Sequence, residues 1–215
     1  PKTHLPNYGE FYEQRHFVSG LGCLEFMSIN GKKIPFGTNL LFVCEELQEL
    51  IVAAEICEDL WVNMPPSVIH AQAGANLIVN LSASNEMVGK DSYRRSLVSG
   101  QSARLVCGYV YANAGEGEST QDLVFGGQNM IAENGSILAE GERFKNGIVY
   151  SEIDVQRLND ERKRLTTWQS CEDSDHLRIP FHLKMEETKL TRQYSRYPFV
   201  PSQKSERDLR CDEIL

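Results

Sequence analysis

Short apolar runs alternate with longer amphipathic stretches along the first part of the chain. One amphipathic stretch opens at Pro65 and Pro66 and stops at Gly74, and another begins near Asp91 and continues to Leu105, as proline, glycine and helical spacing predict for helices. Apolar runs of four to seven residues predict strands at 40–43, 50–56, 77–81 and 106–111. Strands that alternate with helices favour an α/β fold.

The pattern changes in the second half of the chain. Asn134-Gly135 predicts a hairpin turn, and Asp154 is placed to cap a charged helix that extends to about Trp168. Further strands are predicted at 123–125, 129–132, 136–139 and 147–153. From Cys171 the chain becomes polar and rich in proline. We therefore expect a compact domain over residues 1–168 and an extended connector over 169–215.

Composition narrows the possible functions. Hydrophobic residues make up 41% of the 215 residues, which is ordinary for a globular protein and excludes a disordered or fibrous one. The net charge of −8 argues against a nucleic-acid partner, and no apolar run is long enough to suggest a membrane span or a signal peptide. The six cysteines form no CxxC pair, so neither a zinc site nor a redox motif is indicated. We expect a cytoplasmic protein with reduced cysteines and no metal site.

Cys57 is the cysteine with the most unusual context. Residues 55–61 read EICEDLW, so the thiol ends an apolar run and is followed by two acids and a tryptophan. A side chain at the end of a buried strand lies at a sheet edge, where active sites are common. Glu58 and Asp59 disfavour the thiolate, so a nucleophilic Cys57 would need a nearby cation or base. A buried cysteine beside a surface acidic pair is the alternative.

Two sequence blocks point to a family. Residues 2–17 read KTHLPNYGEFYEQRHF, and this block together with EICEDLW resembles the nitrilase-type (carbon-nitrogen hydrolase) glutaminase domain of glutamine-dependent NAD synthetases. The segments NLSASN at 80–85, YVYANAG at 109–115 and GESTQDLVF at 117–125 agree with it. The resemblance implies a nitrilase-like αββα sandwich that stacks into homo-oligomers. Its general-base glutamate would lie upstream of Lys2, so we expect this chain to be a fragment, incomplete at its N-terminus and inactive alone.

The resemblance also assigns roles to single residues. Cys57 would be the nucleophile, and Lys2 would stabilise the charge that develops during the reaction. Glu13 would hold the lysine in place, with an exposed helical acid as the alternative. Tyr8 and Ser84 match positions that bind glutamine in the family.

Two charged residues would complete the recognition of the substrate. Lys90 stands where the family often has an arginine for the substrate carboxylate, and lysine keeps the charge but loses the bidentate fork. Glu58 could meet the α-ammonium group, or it could be a solvated or helix-capping acid.

The implied activity is hydrolysis of L-glutamine to glutamate and ammonia. The ammonia would feed a synthetase domain of the same polypeptide, which amidates deamido-NAD to NAD. ATP and Mg²⁺ would bind in that domain, beyond Leu215, so no cofactor is expected in this chain. The tail at Pro198 to Pro201 and at 210–215 resembles the connector into such a domain. A freestanding nitrilase-class amidase and a non-catalytic interaction module are the alternatives.

Overall fold

The computed structural model describes residues 1–120, 122–171, 175–187, 189, 191–194, 197 and 199–214. These residues form two compact units, Pro1–Met185 and Glu186–Leu215. The strands of the first unit are β1 Leu24–Ile29, β2 Lys32–Gly37, β3 Leu40–Cys44, β4 Ile51–Ile56, β5 Leu77–Ser82, β6 Gly108–Asn113, β7 Met130–Glu133, β8 Ser136–Glu140 and β9 Leu177–Phe181. Its α-helices are α1 Pro66–Gln72, α2 Lys90–Arg104 and α3 Val155–Arg164, with short 3₁₀ turns at Glu13–Arg15 and Cys57–Leu60.

A mixed sheet of seven strands, in the order β8-β7-β6-β5-β4-β3-β9, organises the first unit. Its three central strands, β4, β5 and β6, are mutually parallel. Parallel neighbours end at the same edge of a sheet, so the residues that follow Ile56, Ser82 and Asn113 emerge side by side. The loop after β4 begins with Cys57, and the loop after β5 contains Ser84.

A buried arginine joins α3 to the segments that precede β5 and β6. Arg162 on α3 donates to the carbonyl oxygens of Ala75 at 2.8 Å, Leu105 at 2.7 Å and Val106 at 3.1 Å. The carbonyls of Leu105 and Val106 lie just beyond the C-terminus of α2, where backbone acceptors lack helical partners. The Trp168 ring lies 4.5 Å from the guanidinium carbon and covers its other face. This contact fixes α3 against the end of α2.

Most of the predicted elements are confirmed. Strands form within one or two residues of those predicted at 40–43, 50–56, 77–81, 106–111, 129–132 and 136–139, and α1, α2 and α3 match the three predicted helices. Asn134 and Gly135 both have positive φ, as the predicted hairpin turn requires. The Asp154 side chain caps α3 by accepting from the backbone N–H of Arg157 at 2.9 Å.

Two local predictions are wrong, and one element was missed. Residues 123–125 and 147–153 are not strands. Ile153 places its side chain close to Gly108, but Ile148 and Tyr150 are 76% and 80% exposed, so this apolar run is neither paired in a sheet nor buried as a whole. The β1–β2 hairpin was not predicted, although Asn30 and Gly31 at its turn have positive φ and carry the same Asn-Gly signal.

The predicted boundary at residue 168 also differs from the structure. The first unit extends to Met185, because β9 pairs in parallel with β3 at the edge of the large sheet. The second unit contains a helix, α4 Lys204–Ile214, so this part of the predicted connector is not extended. Pro198 and Leu215 of that connector lie outside the described residues. In the described ranges, no helix has the length and apolar character needed to cross a membrane.

Candidate active site

Cys57 directly follows β4 and is the first residue of a 3₁₀ turn. Its φ angle is +51°, a left-handed conformation that side chains with a Cβ rarely adopt. Such strain costs on the order of 1–3 kcal/mol and persists only where the surroundings hold it. The residue is 9% exposed, so the thiol is buried beside the cavities described below. The predicted position at a strand end is confirmed.

Lys2 and Glu13 form a close ion pair. The lysine Nζ lies 2.7 Å from Oε1 and 2.6 Å from Oε2 of the glutamate. The Lys2 side chain is only 12% exposed, so it is not a solvated charge at the chain terminus. Both carboxylate oxygens face the same ammonium group, which restricts its position. The predicted contact between these two residues is present.

Asp59 attaches the Lys2 segment to the Cys57 turn. Its Oδ1 accepts from the backbone N–H of His4 at 2.8 Å and lies 2.8 Å from Nδ1 of the His4 ring. Its Oδ2 accepts from the backbone N–H of Ile56 at 3.0 Å and of Thr3 at 3.5 Å. The residue is 1% exposed. Asp59 is therefore a buried connecting group rather than a surface acid.

Two cavities meet at Cys57. One, of about 630 Å³, is lined by Cys57, Lys2 and Glu13 together with apolar residues. The other, of about 330 Å³, is lined by Cys57 and by the other four predicted site residues, Tyr8, Glu58, Ser84 and Lys90. The structure thus brings all seven predicted residues to these two cavities. Cys57 is the predicted residue that borders both.

Tyr8 and Glu58 face each other in the smaller cavity. The tyrosine hydroxyl donates to Oε1 of Glu58 at 2.7 Å. Burial, the hydrogen bond and the charge of Glu58 raise the pKa of Tyr8 above its ordinary value, so the phenol stays protonated. The carboxylate of Glu58 is thereby oriented within the cavity, where it can accept from a bound cation.

Lys90 supplies positive charge to the same cavity. It donates to Oδ1 of Asn85, and its Nζ lies 5.0 Å from the centroid of the Trp61 ring and 5.9 Å from that of Phe11. Partial burial, and the nearby charge of Arg94, lower the pKa of Lys90 below its ordinary value. The smaller cavity therefore contains an acid and a cation, the pair needed to bind both charged groups of an amino acid.

The sequence did not predict a role for Arg94, which binds the backbone of Asn85 in the wall of this cavity. The residue is fully buried and donates to Oε1 of Glu86 at 2.9 Å and to the carbonyl oxygen of Asn85 at 3.2 Å. Its helical phase carried a signal, because Arg94 lies on the same face of α2 as the buried residues Val98 and Gln101. Trp61 and Asn85, which also line the cavity, were not assigned a role either.

Among the residues that the structure describes, no three His, Cys, Asp or Glu side chains are grouped so as to hold a metal ion.

Proteins of known sequence are similar to nearly the whole chain. Glutamine-dependent NAD(+) synthetases from Mycobacterium bovis and Mycobacterium leprae are 42% and 40% identical to it over 99% of its length. The chain spans 33% of the length of each.

Solved structures agree with the predicted fold class. A glutamine-dependent NAD(+) synthetase from Cytophaga hutchinsonii is 33% identical, with a TM-score of 0.56, over 66% of this chain and 22% of that one. Nit3 of Saccharomyces cerevisiae, a member of the nitrilase superfamily, is 17% identical with a TM-score of 0.54 over 77% of this chain and 51% of that one, which shows a shared fold. The family model described as carbon-nitrogen hydrolase matches residues 1–163. The chain therefore belongs to the carbon-nitrogen hydrolase family, with a nitrilase-like α/β fold.

Proposed function

We propose that the protein containing this chain hydrolyses L-glutamine to glutamate and ammonia, with Cys57 as the nucleophile. The observation that carries the proposal is the position of Cys57 between two cavities. Lys2 and Glu13 lie on one side, and a small cavity with both an acid and a cation lies on the other. The names of the relatives, which are glutamine-dependent, support glutamine as the substrate.

The proposed chemistry has two stages. The Cys57 thiolate attacks the side-chain amide carbon, an Sγ–C bond forms, and the C–N bond breaks to release ammonia. Water then attacks the thioester carbon, breaks the Sγ–C bond and releases glutamate. Lys2, oriented by Glu13, stabilises the negative charge on the carbonyl oxygen at each tetrahedral stage. A glutamate upstream of Lys2, outside this chain, would take and return the protons.

The smaller cavity would select the substrate. Glu58, oriented by Tyr8, would accept from the α-ammonium group, and Lys90 would meet the α-carboxylate. Ser84 is 2% exposed, and its backbone N–H donates to Oδ1 of Asn113 at 2.8 Å, so its position at the cavity wall is fixed. A volume of about 330 Å³ is suited to a small amino acid.

The ammonia would serve a synthetase domain of the same polypeptide. That domain would use ATP and Mg²⁺ to amidate deamido-NAD to NAD, and the intact enzyme would be a cytoplasmic homo-oligomer. Within this part of the proposal, the names of the relatives, of which the chain spans a third, support the synthesis of NAD.

Ammonia release by the full-length protein tests the proposal. We expect Cys57→Ala to abolish ammonia release from glutamine. Cys44→Ala, at another buried cysteine at the end of a strand, should retain it. Ammonia release by Cys57→Ala at the rate of the parent would refute the nucleophile assignment. A preference for asparagine or simple nitriles over glutamine would refute the substrate and favour an amidase of another kind.

A further inference from the structure

A series of hydrogen bonds between buried polar groups connects the backbone of Cys57 to the interior of the sheet. The Cys57 N–H donates to Oδ1 of Asn80 at 3.2 Å, and Nδ2 of Asn80 donates to the Tyr109 hydroxyl at 3.2 Å. The Tyr109 hydroxyl donates in turn to Oε1 of Glu55, and Oε2 of Glu55 accepts from the backbone N–H of Ser67 at 2.9 Å. The five residues come from β4 and its following turn, β5, β6 and α1.

The direction of each hydrogen bond between these five residues is fixed. The Cys57 N–H can only donate, so the oxygen of the Asn80 amide faces it and the NH₂ group faces Tyr109. The tyrosine oxygen is then an acceptor from Asn80, and its proton goes to Glu55. The Ser67 N–H occupies the second oxygen of Glu55. Each group has one arrangement that satisfies its neighbours.

Burial makes this arrangement costly to disturb. Asn80, Tyr109 and Glu55 are 1%, 0% and 2% exposed. Burial raises the pKa of Glu55, while the hydrogen bonds from Tyr109 and Ser67 act in the opposite direction. A donor or acceptor without a partner here has no water to replace it. These hydrogen bonds therefore resist any rotation of the peptide group that carries the Cys57 N–H.

We propose that Asn80, Tyr109 and Glu55 form a positioning relay that holds Cys57 in its left-handed conformation, with its thiol between the two cavities. This inference rests on the proposed role of Cys57 as nucleophile. Side chains with a Cβ rarely adopt a φ of +51°, so something outside the turn must hold it, and Asn80 binds the N–H of that residue. None of the three would touch the substrate, because none lines either cavity.

Tyr109→Phe in the full-length protein tests the relay, because it removes only the hydroxyl that bonds to Asn80 and Glu55. We expect kcat for glutamine to fall roughly tenfold, with KM within about twofold, because small displacements of a reacting atom lower the rate strongly. Tyr111→Phe is the matched control, because Tyr111 lies on the same strand, is 1% exposed, and its hydroxyl makes no hydrogen bond to Asn80, Tyr109 or Glu55.

A second variant acts on the other end of the relay. In Glu55→Gln, the amide NH₂ group must face either the Ser67 N–H, which is also a donor, or the Tyr109 hydroxyl, whose proton then has no acceptor. We expect the same fall in kcat with the same unchanged KM. Normal kcat in both variants would overturn the relay. An equal loss in Tyr109→Phe and Tyr111→Phe, or failure of both relay variants to fold, would also overturn it in favour of a purely structural role.

Thiol alkylation provides a readout that does not depend on the substrate. Iodoacetamide labelling of Cys57, measured by mass spectrometry relative to the exposed Cys171, should be at least about threefold slower in both relay variants. An unchanged ratio would count against the relay. If Cys57→Ala retained glutaminase activity, the proposed function would fail, yet the alkylation ratio would still report whether the relay positions the thiol.

Discussion

The Asp59 carboxylate accepts a hydrogen bond from the backbone N–H of His4 at 2.8 Å, although the two residues are 55 positions apart in the sequence. Asp59 also accepts from the backbone N–H of Ile56, the residue before Cys57. The segment that carries Lys2 and the turn that carries Cys57 are therefore held by one buried side chain. The second acid after the cysteine sets the geometry of the site, whereas its sequence context suggested only an unfavourable charge.

Asp59→Asn should weaken both stability and activity. The amide keeps one acceptor oxygen but turns an NH₂ group toward backbone N–H donors, so we expect the free energy of unfolding to fall by about 2 kcal/mol or more. Activity should fall with it, because the Lys2 segment loses its attachment. Urea unfolding and ammonia release from glutamine measure the two effects. Asp160→Asn, at a half-exposed pair on α3, is the control and should change neither.

Glu13→Gln should lower kcat by roughly tenfold or more, because the neutral amide cannot hold the Lys2 ammonium as the carboxylate does. The side chain keeps its size, so stability should change little. Steady-state kinetics of ammonia release give kcat and KM. Glu25→Gln, on the exposed strand β1, should behave as the parent. Unchanged kcat in Glu13→Gln would show that Lys2 does not depend on this partner.

Tyr8 and Glu58 should act together on substrate affinity. Tyr8→Phe removes the hydroxyl that orients the carboxylate, and Glu58→Gln removes the charge, so each should raise KM for glutamine. In a double-mutant cycle on kcat/KM, we expect a coupling of about 0.5–1 kcal/mol, since Tyr8 is 60% exposed. Strictly additive effects would mean that the hydrogen bond does not contribute to binding.

The sequence predicted where the candidate site lies, but it did not predict the buried polar contacts that hold the site in place. The apolar run before Cys57 placed the thiol at a strand end, and the motif around Lys2 assigned it a partner 55 residues away in the chain. Arg94 was missed because helical phase shows which face is buried but does not name the polar groups that a buried arginine meets. Residues 147–153 were wrongly predicted as a strand because their apolar pattern indicates neither pairing nor burial: Ile148 and Tyr150 are 76% and 80% exposed.

Lys90→Arg tests the proposed contact between Lys90 and the carboxylate of glutamine. Because the pKa of Lys90 is lowered, the parent should begin to lose this charge at a lower pH than an ordinary lysine would, and KM should rise there. Arginine stays charged across this range, so KM of the variant should rise less steeply. KM measured from neutral to alkaline pH gives the comparison. The α-amine of glutamine titrates equally in both, so a parallel rise would exclude a contribution from Lys90.

The buried His70, paired with the partly buried His176, should make stability depend on pH. Nδ1 of His70 lies 2.8 Å from Nε2 of His176, and burial together with the charge of His176 lowers the pKa of His70 from 6.5 to about 4. The unfolded chain therefore binds a proton at a higher pH than the folded one. The stability is fully present above about pH 6.5 and is lost as the pH falls toward 4.

The contribution of His70 can be isolated by substitution. Between about pH 6.5 and 4, the free energy of unfolding of the parent should fall by up to roughly 1.4 kcal/mol per pH unit more than that of His70→Gln, which has no proton to take up. Urea unfolding at a series of pH values measures this difference. His16→Gln, at an exposed histidine, should follow the parent. Parallel pH profiles for the parent and His70→Gln would contradict the assignment, because His70 would then carry no proton linkage.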